Sequence, residues 1–255
     1  MPKSSKDKLV LVTGGGRGIG EEVVRALASA GYDVTFTYRS AVSQADALSN
    51  ALRDQYPTQK FTSLRADLAA KEEVEALAAR LSEWPELYGF VHNAGASYDA
   101  LAAMIDQARA EELMQINFWS MTRLIKAAVR PMMRAKSGRI VAIGSITAHQ
   151  GTQGNATYAA TKGALASYMK TLAVEVARKG ITANVVAPGY VDTEMLAAYG
   201  ANRQAVEKQI PVGRFARADE IASFVSYLVG PEAACISGVE ITIDGGLSAS
   251  IGIRN

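Results

Sequence analysis

The sequence predicts one α/β domain over residues 1–255, with a doubly wound, seven-stranded parallel sheet and helices on both faces. Three observations predict this fold. Short apolar runs alternate with helical segments along the chain, which is the pattern of a parallel sheet covered on both sides. No linker or internal repeat divides the chain, and its 255 residues lie within the size range of one α/β domain.

The first half of the chain contains four predicted strands. The apolar run 8–13 ends in glycines and is typical of a buried strand. A helix over 18–30 follows, because its apolar residues recur at spacings of three and four and Gly31 can end it. The other elements expected here are strands over 34–38, 61–65 and 87–92 and helices over 43–53 and 69–81.

The second half continues the alternation. We expect a long helix over 110–134 and an alanine-rich helix over 157–179 that stops at Gly180. Parallel sheets of this kind bind ligands at the carboxyl ends of their strands, so functional residues are expected there. The remaining predicted elements are strands over 139–143, 181–187 and 239–244 and a helix over 218–229.

Composition excludes several classes of function. The net charge is +2, from 27 basic and 25 acidic residues, so neither nucleic-acid binding nor membrane binding is predicted. With Cys235 as the one cysteine and two histidines, neither a disulfide nor a zinc site is expected, and no metal is predicted. The first apolar run is too short for a signal peptide or a membrane span, so the expected location is cytoplasmic.

A glycine-rich turn connects the first strand to the first helix. Its glycines let a pyrophosphate approach the free N–H groups at the helix N-terminus, where the helix dipole favours anions. The alternative is a structural turn that binds nothing. The residues predicted to contact the phosphates are Thr13, Gly14, Gly16, Arg17, Gly18, Ile19 and Gly20.

The end of the second strand indicates which dinucleotide is bound. An NAD-binding fold usually has an acid there, which holds the ribose 2′-hydroxyl. This sequence has Tyr38, Arg39 and Ser40 instead, and Arg17 lies in the glycine-rich turn. Two cations without an anion suit the 2′-phosphate of NADP, so the predicted cofactor is NADPH/NADP+. The alternative is that both arginines are only solvated.

A tyrosine and a lysine lie four residues apart near the start of the helix over 157–179. Because of this step, Tyr158 and Lys162 share one face of the helix. Ser145 precedes Tyr158 by thirteen residues and follows the fifth strand, and Asn117 lies in the long helix. A second tyrosine–lysine match begins at Tyr56, but it contains a proline and lies in a predicted loop.

These motifs resemble those of the short-chain dehydrogenase/reductase family in its classical form, including the pattern T-G-x-x-x-G-x-G. The resemblance implies a Rossmann-type fold, a nicotinamide cofactor and carbonyl reduction. In that reaction Tyr158 would give the proton, with its pKa lowered by Lys162, which would also hold the nicotinamide ribose. Ser145 would bind the substrate oxygen, and Asn117 would position a water. The implied catalytic residues are therefore Asn117, Ser145, Tyr158 and Lys162.

The resemblance also implies further cofactor contacts. Asp67 would bind the adenine, or it could be the N-cap of the helix that follows. His92 stands where the family usually has asparagine, and only a packing effect is expected. The further residues that the resemblance assigns to the cofactor are Leu68, Asn93, Ala94, Gly95, Pro188, Gly189, Val191 and Thr193.

The stretch 9–247 is most similar to 3-oxoacyl-(acyl-carrier-protein) reductases. This resemblance implies NADPH-dependent reduction of a 3-oxoacyl thioester to the 3-hydroxyacyl thioester in fatty-acid or polyketide/polyene-type biosynthesis, with an acyl carrier protein as partner. A basic rim near the cleft would meet this acidic carrier at Lys136 and Lys179, with Arg134, Arg139 and Arg178 beside them. Cations at helix C-termini are equally natural because of the helix dipole. A substrate lid is expected at about 190–212, with Gly200 as its hinge.

Two alternatives remain open. The protein could reduce small free ketones or sugars, or it could be a non-catalytic NADP(H)-binding sensor or scaffold, although such proteins usually lose the tyrosine or the lysine. Enoyl reductases of related fold space these two residues more widely. The family resemblance further implies a homotetramer (a dimer of dimers) paired through the two long helices. The bulky residues expected to supply that interface are Phe118, Trp119, Met121, Tyr168 and Met169.

Overall fold

The computed structural model describes residues 8–194 and 203–250. Seven strands form one parallel sheet in the order β3-β2-β1-β4-β5-β6-β7, so the predicted seven-stranded sheet is confirmed. The strand order reverses between β1 and β4. The strands are β1 (Leu9–Thr13), β2 (Asp33–Tyr38), β3 (Phe61–Arg65), β4 (Leu87–His92), β5 (Gly138–Ile143), β6 (Ile181–Pro188) and β7 (Glu240–Ile243).

Helices cover both faces of the sheet, as predicted. One core cluster joins α1, α2 and α8 to the sheet, and the other joins α3, α5 and α6 to its opposite face. Strands β4, β5 and β6 are buried along their whole length, which explains their continuous apolar sequences. The helices are α1 (Gly18–Ser29), α2 (Val42–Gln55), α3 (Lys71–Ser82), α4 (Gln107–Met114), α5 (Ser120–Ala135), α6 (Ala156–Val176), α7 (Arg203–Glu207) and α8 (Ala218–Val229).

The long helix predicted over 110–134 is divided in the structure. A π-helical segment, Gln115–Trp119, separates α4 from α5. The backbone N–H of Ser120 donates to the carbonyl of Gln115, and its hydroxyl donates to the carbonyl of Ile116 at 2.6 Å. The Ser120 hydroxyl thereby supplies the Ile116 carbonyl with a donor where the helical pattern is interrupted. Such π segments are frequent at functional sites, and this one contains Asn117.

The residues expected at a subunit interface are distributed differently from the prediction. Met121 and Met169 are buried in the core of this chain, so the idea that they form surplus surface is wrong. Phe118 and Tyr168 are partly buried and pack edge to face with ring centroids 6.1 Å apart. Trp119 is 51% exposed and is the strongly exposed member of the set.

The predicted lid falls partly outside the described residues. Its apolar stretch and Gly200 belong to 195–202, which the structure does not describe. The described part of the lid region contains α7 and the turn that follows it. None of the helices described over 8–194 and 203–250 is long and apolar enough to cross a bilayer.

Candidate active site

The loops after β1 and β4 meet where the strand order reverses. The Thr13 hydroxyl oxygen accepts hydrogen bonds from the backbone N–H groups of Asn93 and Ala94, each at 3.1 Å. The Asn93 side chain donates to the carbonyl of Gly14 at 2.9 Å. The glycine-rich turn is therefore tied to the segment 93–95, as a ligand crevice at the switch point of a doubly wound sheet requires.

The glycine-rich turn has the shape of a cradle for an anion. Gly14 has φ +67°, and a Cβ there would lie 2.9 Å from the Cα of Ala94. A Cβ on Gly20 would overlap the Gly14 carbonyl oxygen, so the helix and the turn approach as closely as glycine alone allows. Among the described residues, no side chain caps the N-terminus of α1. Its first N–H groups can therefore bind a pyrophosphate.

The loop after β6 faces the same cradle. A Cβ on Gly18 would lie 3.4 Å from the Cγ2 of Thr193, so this threonine borders the turn. Val191 is buried and forms a parallel bridge with Ala216. Behind them, the N–H of Gly189 donates to the Ile243 carbonyl at 3.0 Å, which ties the loop to β7. The structure thus brings the predicted residues of this loop to the glycine-rich turn, with Pro188 ending β6.

The two arginines predicted to face a 2′-phosphate differ in their surroundings. Arg17 forms an ion pair with Glu194 at 2.9 Å, so the expectation that no anion accompanies it is wrong. Glu194 lies 177 positions away in sequence, which is why the local pattern missed it. Arg39 is exposed at the end of β2 and has no side-chain partner within 8–194 and 203–250. Tyr38 and Ser40 flank it.

Asp67 does not have the capping role considered from the sequence. It precedes α3 by four residues, and the residue at the N-cap is Ala70. The Asp67 carboxylate instead accepts the N–H of Ala69 at 3.0 Å within the preceding turn. Its backbone N–H donates to Glu73 at 2.8 Å, while the neighbouring Leu68 is buried. The carboxylate stays partly exposed beside the sheet edge, where it can accept a further hydrogen bond.

The structure brings together the four predicted catalytic side chains, since a Cβ on Gly95 would lie 3.4 Å from the Asn117 Oδ1 and 3.7 Å from the Lys162 Nζ. Tyr158 and Lys162 lie one helical turn apart on α6, with the Lys162 Nζ 5.5 Å from the centre of the Tyr158 ring. The Lys162 ammonium donates to the Ile143 carbonyl at 2.8 Å. Ser145 follows β5 beside the phenol, and its Oγ accepts hydrogen bonds from the N–H and hydroxyl of Thr147. Its own hydrogen can be shared with the Tyr158 phenol or donated to a ligand.

Burial controls the protonation of these groups. It raises the pKa of Tyr158 to about 12; the nearby Ser145 hydroxyl lowers this pKa, and Asp99 raises it. Burial also lowers the pKa of Lys162 to about 8. The pKa of Tyr158 is therefore raised overall, because desolvation of the phenolate dominates, and a lowering effect of Lys162 stays a prediction. Tyr158 is protonated at neutral pH and has a proton to donate.

The Asn117 side chain forms three hydrogen bonds that hold it in place. Its side-chain oxygen accepts the N–H of Ala96 at 2.9 Å, and its amide donates to the Ala96 carbonyl and to Thr161, each at 3.0 Å. The side chain therefore braces the segment after Gly95 against α6, a role that the sequence did not indicate. Positioning of a water by Asn117 stays a prediction.

Two polar residues beside Tyr158 were not predicted as a pair. Asn155 donates to the Asp99 carboxylate at 2.8 Å, and Asp99 acts electrostatically on the phenol. The other side-chain atom of Asn155, its oxygen, is buried without a hydrogen-bond partner in the described part of the chain. The polar sequence at 98–99 was the available signal, but the contact with residue 155 depends on tertiary structure. Elsewhere along the cleft, His149 pairs with Glu240 at 2.7 Å.

The predicted carrier-binding lysines lie together but far from Tyr158. A Cβ on Gly180 would lie 2.5 Å from the Lys136 carbonyl oxygen, so the turns that carry Lys136 and Lys179 are in contact. They precede β5 and β6 and so lie at the amino-terminal edge of the sheet. The length of α6 separates Lys179 from Tyr158 by about 30 Å. The expectation of a basic rim beside the cleft of the same chain is therefore wrong. Arg139, which was expected to lie in that rim, is buried.

The fold and these side chains define a class: a nicotinamide-dependent oxidoreductase built on a doubly wound sheet. The family model described as "Enoyl-(Acyl carrier protein) reductase" matches residues 14–248. The chain belongs to the short-chain dehydrogenase/reductase family. Among the described residues, no group of three or more histidine, cysteine or acidic side chains could hold a metal ion.

Individual relatives are similar along almost the whole chain. The 3-oxoacyl-(acyl-carrier-protein) reductase FabG of Escherichia coli is 36% identical over 242 residues, which cover 94% of this chain and 97% of that protein. The reductase of the same name from Vibrio cholerae is 37% identical over 242 residues, with the same coverage. A short-chain dehydrogenase/reductase from Serratia marcescens is structurally similar, with a TM-score of 0.88 at 33% identity, covering 96% of this chain and 100% of that chain.

Proposed function

We propose that this protein uses NADPH to reduce the keto group of a 3-oxoacyl thioester, attached to an acyl carrier protein, to the 3-hydroxyacyl thioester. The observation that supports this most directly is the meeting of Ser145, Tyr158 and Lys162 at the same sheet edge as the glycine-rich cradle. The 36% identity to the E. coli 3-oxoacyl-(acyl-carrier-protein) reductase favours this substrate class. The four-residue tyrosine–lysine step favours reduction of a carbonyl over reduction of an enoyl double bond.

The chain's own residues supply the proton and the orientation. When bound, the reduced nicotinamide supplies the hydride. The Tyr158 phenol, protonated at neutral pH because of burial, donates its hydrogen to the carbonyl oxygen of the substrate. The oxygen of the Ser145 hydroxyl already accepts two hydrogen bonds. This hydroxyl donates a hydrogen bond to the same substrate oxygen and so orients the substrate, without transferring its proton. The Ile143 carbonyl holds the Lys162 ammonium beside the phenol, where its positive charge stabilises the phenolate that forms as the proton leaves.

NADPH is proposed as the cofactor because the end of β2 has no acid and carries an exposed arginine. Arg39 is the cation proposed to contact the 2′-phosphate, since Arg17 is paired with Glu194. The segment 93–95 and Thr193 border the glycine-rich cradle and are proposed to contact the cofactor as well. The partly exposed carboxylate of Asp67 is placed to accept a hydrogen bond from the adenine.

The proposed site for the acyl carrier protein bears on the proposed oligomeric state. Lys136 and Lys179 are exposed at the amino-terminal edge and suit an acidic carrier protein. Because Tyr158 of the same chain lies about 30 Å away along α6, a carrier held there would serve the site of a neighbouring copy. We therefore propose a homotetramer, a dimer of dimers. We further propose one domain with a lid at about 190–212, located in the cytoplasm.

The decisive experiment compares substrates in an assay of NADPH oxidation. Acetoacetyl thioester on an acyl carrier protein, the same acyl group on coenzyme A, a small free ketone and a sugar are tested at equal concentrations. The proposal expects the highest kcat/KM with the carrier-bound thioester. Preference for the ketone or sugar would identify a small-molecule reductase. Tight NADPH binding without reduction of any carbonyl would identify a cofactor-binding sensor.

A further inference from the structure

A buried histidine lies at the end of β4, between the two halves of the site. His92 is 1% exposed, and its neighbours in the sheet are Thr13 on β1 and Ala142 on β5. The reaction proposed above uses neither of its nitrogen atoms. Buried polar atoms normally have hydrogen-bond partners, so packing alone does not explain a buried ring with two hydrogen-bonding atoms beside Lys162.

The contacts of Thr13 determine which nitrogen of His92 carries the hydrogen. The Thr13 oxygen already accepts two backbone hydrogens, from Asn93 and Ala94. Its own hydroxyl hydrogen is therefore the one shared with Nδ1 of His92, 3.2 Å away. Because Nδ1 accepts, the neutral ring carries its hydrogen on Nε2. The ring thus holds Thr13 in the orientation that ties the glycine-rich turn to the segment 93–95.

The opposite side of the ring faces the catalytic helices. Nε2 lies near the main chain of Asn117 without reaching hydrogen-bond geometry, and it has no hydrogen-bond partner among the described residues. The positive charge of Lys162 disfavours a second charge on the ring. A neutral ring with its remaining N–H directed to this side can donate to the Asn117 main chain, directly or through one water.

We propose that His92 is a positioning residue that links the cofactor cradle to the proton-donating side of the site through the two nitrogens of one neutral ring. Nδ1 orients Thr13, and so the glycine-rich turn. Nε2–H orients the Asn117 segment that faces Lys162. The kinetic part of this inference rests on the proposed carbonyl reduction, whereas the part concerning Thr13 concerns cofactor binding alone.

Three substitutions separate the two contacts. In His92→Asn the amide oxygen can take the place of Nδ1, but the side chain is too short to replace Nε2. In His92→Gln the amide nitrogen can reach the position of Nε2, while the contact with Thr13 is lost. His92→Phe keeps the ring and loses both contacts. Phe61→Leu, on the outer strand β3, is the control for loss of core packing away from the site.

Two measurements are made on each variant. Fluorescence titration gives the Kd for NADPH and requires no turnover, and the pH profile of kcat reports on the proton-donating side. We expect the Kd for NADPH to rise about 3- to 10-fold in His92→Phe and His92→Gln, and to change less than about twofold in His92→Asn. We expect kcat to fall, and its apparent pKa to move, in His92→Phe and His92→Asn, with both retained in His92→Gln.

A purely structural role gives a different pattern. If His92→Phe keeps the wild-type Kd and pH profile while losing stability as Phe61→Leu does, the proposal is overturned. It is equally overturned if the Asn and Gln variants, which remain available should the Phe variant not fold, change both measurements together. If the wild-type protein reduces no carbonyl, the proposed function fails, while the NADPH titration still tests the contact with Thr13.

Discussion

At the amino-terminal edge of the sheet, a buried arginine is fully engaged by its surroundings. Arg139 donates to the carbonyls of Gly230 and Gly138 at 3.2 and 2.9 Å, and its guanidinium lies over the Tyr88 ring. At the carboxyl-terminal edge, Lys162 is also buried but has one hydrogen-bond acceptor in the described part of the chain, the Ile143 carbonyl. Burial lowers the pKa of this lysine to about 8.

The difference shows how one sheet separates stability from chemistry. At the amino-terminal edge, the hydroxyls of Tyr32 and Tyr88 also find an acceptor, the Val229 carbonyl, so the cluster lowers the free energy of the folded state. At the other edge, His92 and Asn155 each leave a buried polar atom without a hydrogen-bond partner among the described residues, whereas at the amino-terminal edge the Thr182 hydroxyl beside Arg139 is such an atom. Groups that are desolvated and incompletely bonded are ready to bind a ligand and exchange protons.

The largest expected effect is on the carboxyl-terminal edge. Tyr158→Phe removes the proton donor and keeps the ring, so kcat should fall about 10²- to 10⁴-fold. The Tm and the Kd for NADPH should stay close to the wild-type values, because the phenyl ring still fills the site. Near-normal turnover by the folded variant would show that Tyr158 does not donate the proton.

A substitution at the amino-terminal edge should have the opposite effect, lowering stability while leaving kcat unchanged. Arg139→Leu leaves the Gly230 carbonyl without its donor, and the free energy of unfolding should fall by about 2–3 kcal/mol, measured by urea denaturation. The kcat per folded molecule should not change, because Arg139 lies at the opposite end of the strands from Tyr158. Arg178→Leu, an exposed control nearby, should alter stability by less than about 0.5 kcal/mol. A loss of kcat in Arg139→Leu would mean that the two edges are coupled.

An exposed cation on the carboxyl-terminal edge should affect the choice of cofactor. Arg39→Ala should raise the KM for NADPH about 10- to 100-fold, because a hydrogen bond to a charged group contributes about 1.5–3 kcal/mol. The KM for NADH, which has no 2′-phosphate, should change little. Arg17→Ala is the matched comparison, with a smaller effect expected because Arg17 is paired with Glu194. Equal effects on both cofactors would remove Arg39 from the phosphate site.

The smallest expected effect is a dependence of stability on pH. Burial, helped by the charge of Lys162, lowers the pKa of His92 to about 3, from an ordinary value near 6.5. Between these values the unfolded chain binds a proton that the folded chain does not, so stability falls as the pH decreases below about 6.5. The contribution lost between pH 7.5 and 5.5 is about 1.4 kcal/mol.

Chemical denaturation at a series of pH values, comparing the wild type with His92→Asn, measures this contribution. The asparagine variant should lose less stability on acidification than the wild type by that amount. Parallel curves for the two proteins would contradict the assignment of a neutral buried imidazole to His92.

Local patterns predicted much of this molecule. The apolar runs located the seven strands to within about one residue at their ends. For the inner strands β4, β5 and β6 the reason is burial on both faces, which requires uninterrupted apolar sequence. The glycine-rich turn and the helical step from Tyr158 to Lys162 were also local signals. The π-helical segment around Asn117 was missed, because the hydrogen bonds of Ser120 interrupt a periodicity that looks continuous in sequence.

The sequence by itself determined the order of the strands and helices and the residue types available for chemistry, since these depend on periodicity over a few neighbours. Only the tertiary structure decided which distant groups meet. It paired Arg17 with Glu194, placed Thr13 against His92, and set Lys136 and Lys179 at the edge away from Tyr158. It also decided the protonation of Tyr158, because desolvation depends on all the elements that surround a side chain.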